Sequence, residues 1–262
     1  MAHPKQKTPR KAPKPGPMIF LAGVTKRFGK KTVLDGIDLR VDPNTIHAVI
    51  GGSGHGKSTI LKLILGFLTP DEGDVLVAGN SILGLDDMAR LEVLKTIGVS
   101  FQHSALFDSM SVYENVAFPL REHTLLSEED IAQRVAETLT RLGLPGIEDK
   151  MPAELSGGMK KRVGVARAVM LQPKIMLFDE PETGLDPITT TSIGNLIQEM
   201  RDDFGITCLV ISHNLENTMR ISDRVSMLYK GHIIAEGTPA QLRDHDHPVV
   251  RQFLTGSSEG PF

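Results

Sequence analysis

The sequence has little cysteine and no long apolar run. Its single cysteine, Cys208, excludes a disulfide within the chain of 262 residues, and the apolar residues on both sides of it predict a buried, reduced thiol. No apolar run approaches the roughly 18 residues that a membrane-spanning helix needs. No apolar segment near the N-terminus resembles a signal peptide. From these absences we expect a protein that stays in the cytoplasm and has no membrane span of its own.

The sequence also lacks a strong net charge. Its formal net charge of -3 gives no global basic field for nucleic acid. The content of 40% hydrophobic and 23% charged residues is that of an ordinary soluble globular protein. The length allows one large domain, or one domain with an inserted lobe, and we find no internal repeat.

Residues 1–17 differ in composition from the rest of the chain. They are rich in lysine, arginine and proline and contain no acidic residue. Such a segment cannot bury a core, so we expect a disordered basic tail. A solvated tail is the favoured interpretation, and contact with anionic lipid headgroups is the alternative.

The most informative segment is residues 51–59, with the sequence GGSGHGKST. It matches the phosphate-binding pattern G-x-x-x-x-G-K-[ST] and lies between an apolar run that predicts a strand and one that predicts a helix start. Glycines let backbone N–H groups turn toward phosphate oxygens, and a helix N-terminus favours negative charge. The pattern assigns Lys57 to the β- and γ-phosphates and Ser58 to Mg²⁺. A plain glycine-rich surface loop is the alternative, and its setting between a strand and a helix argues against it.

Two further motifs carry chemistry. The apolar run 175–178 leads into Asp179 and Glu180, which predicts a strand that delivers two carboxylates to the edge where ligands bind in α/β folds. Asp179 would hold Mg²⁺, and Glu180 would polarise an attacking water. The segment 155–162, LSGGMKKR, predicts a second anion-binding helix start. Because one triphosphate does not need two such ends in one chain, the second end makes sense if it serves a nucleotide held by another subunit. A strand running into a solvated turn and a plain helix cap are the alternatives.

The pattern along the chain indicates an α/β fold with an inserted helical region. Alternation predicts antiparallel strands between residues 18 and 41 and another strand at 73–79, and residues 224–236 resemble a hairpin. The continuous apolar runs 174–178 and 207–212 suit central strands of a parallel sheet. Helix starts are predicted at Ser127, as a capping box, and at Thr238, with proline at the first helical position.

The order of the motifs resembles that of the ATPase subunits of ABC transporters over residues 18–245. The resemblance implies a RecA-like P-loop NTPase core of α/β class, an antiparallel β subdomain, and a helical ABC-specific subdomain inserted at about residues 104–160. It also implies a head-to-tail dimer of two copies with two ATP molecules at the interface. Each ATP would lie between the phosphate loop of one subunit and Ser156, Gly157 and Gly158 of the other.

The same resemblance assigns further residues by motif. Phe28 stands where the family stacks an aromatic ring on adenine, with a core phenylalanine as the alternative. Gln102 resembles the glutamine that reaches Mg²⁺ and senses the permease. Asp186 belongs to the loop that links the two sites across the dimer, and His213 resembles the switch histidine that contacts the γ-phosphate.

ATP and Mg²⁺ are therefore the expected cofactors. The expected catalytic residues are Lys57, Gln102, Glu180 and His213, and the expected metal ligands are Ser58, Gln102 and Asp179. The residues expected to contact ATP are Phe28, Gly51, Gly52, Ser53, Gly54, His55, Gly56, Lys57, Ser58, Thr59, Ser156, Gly157, Gly158, Met159 and Asp186.

Three residues depart from the family pattern. Met159 stands where glutamine is usual, Glu182 where a small residue is frequent, and Asn214 where aspartate is common. None of these changes removes a group assigned to phosphate or Mg²⁺, so the expectation of catalysis stands.

Narrower features resemble the Mla/Mce-type phospholipid transporters. They are the segments 101–112 and 114–122, Met159, and the chain from 250 to 262. The resemblance implies integral-membrane permease subunits above two copies of this chain, an MCE-domain protein outside the inner membrane, and a small STAS-domain protein as a candidate ligand of each ATPase. It also implies a C-terminal extension, residues 246–262, that contacts the other ATPase subunit. The chain would then sit at the cytoplasmic face of the inner membrane, held there by the permease.

Three rival functions stay open at this point. The chain could serve another ABC importer or exporter, since the motifs from Leu155 onward do not exclude one. A soluble ABC protein that remodels a complex is a second rival, against which stand the single cysteine and the absence of a second ATPase domain. A nucleotide-dependent switch that does not hydrolyse is the third, and the intact Glu180 and His213 argue against it.

Overall fold

The computed structural model describes residues 16–262, so the predicted basic tail lies outside the described residues except for its last two. The strands are β1 Ile19–Phe28, β2 Lys31–Val41, β3 Ile46–Ile50, β4 Glu72–Val77, β5 Asn80–Ser81, β6 Ile97–Ser100, β7 Ile175–Asp179, β8 Thr207–Ile211, β9 Arg224–Tyr229 and β10 His232–Gly237. The α-helices are α1 Lys57–Ile64, α2 Asp87–Leu94, α3 Val112–His123, α4 Glu128–Arg141, α5 Gly157–Val169, α6 Pro187–Asp202, α7 Leu215–Ile221, α8 Pro239–Arg243 and α9 Pro248–Thr255.

Two sheets organise the fold. The first is antiparallel, with the strand order β2-β1-β4-β5, and it contains the strands that alternation predicted near the N-terminus. The second has the order β10-β9-β3-β8-β7-β6, in which β9, β3, β8, β7 and β6 run parallel and β10 closes the edge as a hairpin with β9. The predicted central strands are β7 and β8, which pair directly with each other.

Alternate residues of the central strands face two separate hydrophobic cores. On β8, Leu209 and Ile211 face a core shared with the antiparallel sheet and α1, whereas Cys208 and Val210 face a core shared with α3, α5 and α6. Successive side chains of a strand point to opposite faces, so a strand covered on both sides must be apolar throughout. This double coverage explains the continuous apolar runs and confirms the buried free thiol expected for Cys208.

Helix caps follow the sequence signals, with one difference. Thr238 and Gln241 form a full capping box at α8, as do Ser111 and Glu114 at α3. At α4 the Ser127 side chain accepts the Asp130 N–H, but the Asp130 carboxylate binds the Ser127 hydroxyl instead of the backbone N–H. The aspartate side chain is one methylene shorter than the glutamate of a capping box, so α4 has a simple N-cap.

The helices α3 and α4 enter between β6 and α5 and pack on the parallel-sheet core. Val116 and Leu120 on α3 and Ile131, Val135 and Leu139 on α4 are buried together. Their spacing places them on one face of each helix. Within residues 16–262, no helix is long and apolar enough to span a membrane.

Candidate active site

The loop between β3 and α1 takes a conformation that only glycine tolerates at several points. Gly51, Gly54 and Gly56 have φ angles of 148°, 75° and 107°. A Cβ on Gly51 would lie 2.2 Å from the Leu228 carbonyl oxygen, and one on Gly56 would lie 2.9 Å from the Leu34 side chain. Side chains at these two positions would therefore force the loop away from the sheet edge.

Lys57 is the first residue of α1 and folds back over this loop. Its ammonium donates to the Gly51 and Gly52 carbonyl oxygens at 2.8 and 3.0 Å, and the residue is buried. Burial lowers the pKa of Lys57, while the carboxylates of Glu180 and Asp179 act in the opposite direction. The N-cap of α1 is Gly56, which supplies no side-chain hydrogen bond, and the first turn of the helix contains no acid. The positive end of the α1 dipole is therefore not neutralised by its own first turn.

Parallel pairing brings the other predicted residues to the same sheet edge. Ser100 of β6 pairs with Phe178 of β7, and Asp179 of β7 pairs with Ile211 of β8. Gln102 and His213 each follow two residues after their strand ends, so both emerge beside Asp179, as the carboxyl ends of parallel strands do.

Glu180 and His213 are in contact although 33 positions separate them in sequence. The His213 Nδ1 atom lies 3.3 Å from the Glu180 Oε2 atom, which also accepts a hydrogen bond of 3.1 Å from the Thr183 hydroxyl. Glu180 has a φ of 46° and donates its backbone N–H to the Ile211 carbonyl oxygen, which ties the two loops together. Burial, followed by repulsion from Glu180, raises the pKa of the neighbouring Asp179.

The chain from residue 34 to residue 183 matches the family model described as ABC transporter, and this match covers more than half of the sequence. The chain belongs to the ABC transporter family. It is an ATP-binding subunit that hydrolyses ATP, and ATPases of this family dimerise and work with membrane components.

Two curated relatives resemble this ABC ATPase over most of its length. It is 42% identical over 244 residues to the intermembrane phospholipid transport system ATP-binding protein MlaF of Haemophilus influenzae, covering 93% of this chain and 92% of MlaF. It is 41% identical over 246 residues to the probable ribonucleotide transport ATP-binding protein mkl of Mycobacterium leprae, covering 94% of this chain and 71% of that one. A solved structure of a dimeric ATP-binding cassette, in a post-hydrolysis state with ADP and Pi, superposes on this ABC ATPase with a TM-score of 0.77 at 30% identity. The match covers 85% of this chain and 99% of that one.

The signature segment of the ABC ATPase lies at the start of α5. Ser156 is its N-cap and accepts the Met159 N–H at 3.3 Å, while Ser156 and Gly157 are exposed. A Cβ on Gly158 would lie 2.6 Å from the Thr189 methyl group, so glycine there permits close packing against α6. Among the described residues, no hydrogen bond joins this segment to residues 51–59 of the same chain.

Two predicted residues have local roles in the single chain. Asp186 is the N-cap of α6 and accepts the N–H groups of Ile188 and Thr189. The hydrogen bond from the Thr189 hydroxyl, followed by those from these N–H groups, lowers the pKa of Asp186. Phe28 is 48% exposed at the end of β1, with the Lys26 ammonium 5.6 Å from its ring centroid. The alternative of a core phenylalanine is therefore wrong.

The C-terminal segment packs on the phosphate loop of its own chain. The Phe262 ring lies 5.6 Å from His55, 5.3 Å from Tyr229 and 5.0 Å from Phe253, measured between ring centroids, and the Tyr229 hydroxyl donates to the Pro261 carbonyl at 2.9 Å. We call these four rings the aromatic cluster. The predicted contact of residues 246–262 with a partner subunit stays a prediction.

Two residues at the site were not assigned a role from the sequence. Lys161 on α5 is buried and donates to the Gln102 backbone carbonyl, which joins the signature helix to the segment after β6. Glu182 was noted only as a departure from the family, yet it is 5% exposed and accepts the Ser212 hydroxyl. Both contacts join residues about 30 to 60 positions apart, so no local pattern could reveal them.

Proposed function

We propose that this ABC ATPase powers phospholipid transport between the inner and outer membrane, in an Mla-like system with an MCE-domain protein. The observation that carries the proposal is its 42% identity to MlaF, over 92% of that protein. The Mla/Mce-like segments 101–112 and 114–122 support it, because they lie where the chain leaves β6 and enters α3. In this assignment the chain contacts nucleotide and permease, and it does not touch the cargo.

Each copy of the chain supplies the catalytic half of a nucleotide site. The backbone of residues 51–59 and the Lys57 ammonium bind the β- and γ-phosphates, and the exposed ring of Phe28 stacks on adenine. The buried position of Lys57 strengthens its attraction for phosphate, because the local dielectric constant is lower than that of water.

The residues around the loop also fit a Mg²⁺ ion. The Ser58 hydroxyl, the Asp179 carboxylate and the Gln102 amide are hard oxygen donors of the kind that Mg²⁺ prefers. Within residues 16–262, no three acidic, histidine or cysteine side chains form a ready-made metal site, which suits an ion that takes further ligands from phosphate and water. When bound, the ion would neutralise charge on the transferred phosphate.

Hydrolysis depends on the contact between Glu180 and His213. The Glu180 carboxylate accepts a proton from the attacking water, and the Thr183 hydroxyl and the His213 ring contact the same carboxylate oxygen. The His213 Nδ1 atom lies 3.3 Å from the Glu180 carboxylate. In this assignment the same imidazole contacts the γ-phosphate. Catalytic groups lower the barrier most when the protein holds them in position before the reaction begins. The hydrogen bonds that anchor both loops are therefore part of the mechanism.

The second half of each site comes from another copy of the chain. Ser156, Gly157 and Gly158 form the positive end of α5, whose cap Ser156 accepts the Met159 N–H, and in this assignment they contact the γ-phosphate held by the partner's phosphate loop. Bound ATP therefore holds the dimer closed, and phosphate release opens it. The permease transmits this motion, so the ATPase works at the cytoplasmic face of the inner membrane.

Isolation of the chain from its native membrane in mild detergent tests the proposal. Mass spectrometry of the isolated complex should find a permease, an MCE-domain protein and phospholipid. A permease isolated without an MCE-domain protein or phospholipid would contradict the cargo, and ribonucleotide transport, named for the mkl relative, would then be the better candidate. Loss of every membrane component would contradict the transport role and favour a soluble remodelling ATPase.

A further inference from the structure

The loop after β7 contains a second glutamate that the catalytic assignment does not use. Glu182 is 5% exposed, and its Oε1 atom accepts a short hydrogen bond from the Ser212 hydroxyl. The Ser212 oxygen itself accepts the Asn214 N–H at 2.9 Å. The Ser212 hydroxyl has one proton, and the Glu182 carboxylate lies nearer to it than the Asn214 carbonyl oxygen at 3.5 Å, so we assign that proton to Glu182. This contact binds the carboxylate to the loop that follows β8.

That loop carries His213, the residue that contacts Glu180. Ser212 is completely buried, whereas the His213 side chain is 56% exposed and contacts Glu180 through its Nδ1 atom. Besides the His213–Glu180 contact, two hydrogen bonds join this loop to the segment after β7: Glu180 binds the Ile211 carbonyl, and Glu182 binds the Ser212 hydroxyl. The Ser212 N–H also donates to the Val49 carbonyl on β3 at 3.3 Å. The Glu180 and Glu182 hydrogen bonds both come from the segment that leads to Asp186 and α6.

The burial of Glu182 has a free-energy cost that a small residue would avoid. Desolvation disfavours its charged form, and its second oxygen, Oε2, is buried without a hydrogen-bond partner among the described residues. The titratable groups around it are Glu180, His213 and Lys161. A costly group that persists at such a place indicates a function other than stability.

We propose that Glu182 is a positioning residue for ATP hydrolysis, which binds Ser212 so that the loop of Glu180 and the loop of His213 move as one unit. This proposal rests on the proposed roles of Glu180 and His213. Movement of α6 or of Asp186 would then displace both groups together, and the spacing between carboxylate and imidazole would be kept through the cycle.

Steady-state ATP hydrolysis by the assembled complex tests the proposal with Glu182→Ala, Glu182→Gln, Ser212→Ala and the Glu182→Ala/Ser212→Ala double variant. We expect kcat to fall about tenfold or more in each alanine variant while KM for ATP changes less than about twofold, because the contact positions the catalytic groups and does not bind the nucleotide. The double variant should be no slower than the slower single variant, because both substitutions remove the same contact. Glu182→Gln should recover most of the loss, since its amide oxygen accepts the same hydroxyl.

Ser226→Ala is the matched control. Ser226 is also completely buried and donates its hydroxyl to a glutamate, Glu236, at 3.2 Å, but it lies on β9, which β3 separates from β8. It should lower the thermal midpoint without lowering kcat. Additive losses in the double variant, a Gln variant as slow as the Ala variant, or a kcat for Glu182→Ala within about twofold of the unsubstituted chain would each overturn the proposal.

Glu180→Gln separates this inference from the proposed function. If Glu180→Gln hydrolyses ATP normally, the assignment of Glu180 fails, and the inference about Glu182 falls with it. If Glu180→Gln is inactive and Glu182→Ala is normal, only the inference fails. Should Glu182→Ala not fold, Ser212→Ala removes the same hydrogen bond with the loss of a single oxygen atom and decides the question.

Discussion

The N-termini of α1 and α5 in this ABC ATPase differ in what surrounds them. The α1 end has a buried cation, Lys57, and the carboxylates of Asp179 and Glu180 nearby, and no side chain caps it. The α5 end is exposed, capped by Ser156, and has no acid in its first turn. The carboxylates beside the α1 end belong to the same chain, whereas at the α5 end, within residues 16–262, Ser156 and Gly157 are exposed and no acid lies in the first turn. We infer that the α5 end is one half of a site that a second copy completes.

Glu180→Gln should have the largest effect, and it affects only the α1 half. The variant keeps the shape of the side chain and loses the base, so we expect ATP to bind while kcat falls by about 10²–10⁴. Phosphate release and nucleotide binding by calorimetry measure the two quantities. Glu199→Gln, at an exposed position on α6, is the control and should behave as the unsubstituted chain. Near-normal turnover would show that Glu180 is not the base.

Gly157→Asp should have the next largest effect, on the α5 half. A Cβ at Gly157 meets only the Leu185 side chain at 3.5 Å, so the single chain accommodates it. A carboxylate opposite a triphosphate costs several kcal/mol, and hydrolysis should fall by about 10². Nucleotide affinity of the separated subunit should not change. Gly157→Ala is the matched control, and equal losses in both variants would point to packing instead of charge.

Lys57→Ala should weaken nucleotide binding to the α1 half. The ammonium makes charge-assisted hydrogen bonds worth about 1.5–3 kcal/mol, so the Kd for ATP should rise by about 10- to 100-fold. Titration of the separated subunit with ATP measures it. Lys62→Ala, at an exposed position on the same helix, is the control. Unchanged affinity would count against the phosphate role of Lys57.

Mixing Lys57→Ala chains with Gly157→Asp chains tests whether the α1 end of one chain and the α5 end of another complete one site. In a composite site both substitutions fall in one of the two sites of the mixed dimer, and the other site carries neither. At an ATP concentration near the Kd of the unsubstituted chain, hydrolysis by the mixture should therefore exceed that of either variant alone. If each chain formed its own complete site, every site would carry one substitution and no activity would return.

Phe28→Ala should have the smallest effect of the series. Stacking of a base on an aromatic ring is worth about 1–3 kcal/mol, and exposure at 48% places the expected loss at the low end, about a fivefold rise in the Kd for ATP. Phe28→Tyr should keep the affinity. Phe67→Ala removes a ring that is 67% exposed elsewhere and should not alter nucleotide binding. An affinity for GTP that falls in parallel would be expected, because stacking does not distinguish the bases.

The sequence predicted the parts of the fold that have strong local patterns. β7, β8 and the phosphate loop follow from apolar runs and glycine spacing, because those features act over a few residues. β6 was not identified, because it has only four residues and one of them is Gly98, which breaks the apolar pattern. The glycine is required by tertiary packing, since a Cβ there would lie 2.3 Å from the Met176 sulfur on the neighbouring strand. α2 was not identified either, because it buries no residue completely and has a weak pattern.

The residues of the candidate site also fall into those that local motifs predict and those that only the tertiary structure reveals. Motifs place Lys57, Asp179, Glu180 and His213, and the parallel sheet brings their strand ends together. The contact of Lys161 with Gln102 and that of Glu182 with Ser212 depend on packing between segments that are distant in sequence. No local sequence pattern predicts such contacts.

The buried thiol of Cys208 makes this ABC ATPase convenient for spectroscopy. Burial raises the pKa of Cys208 to about 12, and the thiolate is the form that reacts with alkylating labels, so the native thiol should stay unmodified in the folded chain. A cysteine introduced at an exposed position such as Ser53 or Gly157 would then be the only site labelled. Spin labels at two such positions could report the distance between phosphate loop and signature helix across a dimer, with and without ATP, in an otherwise unmodified chain.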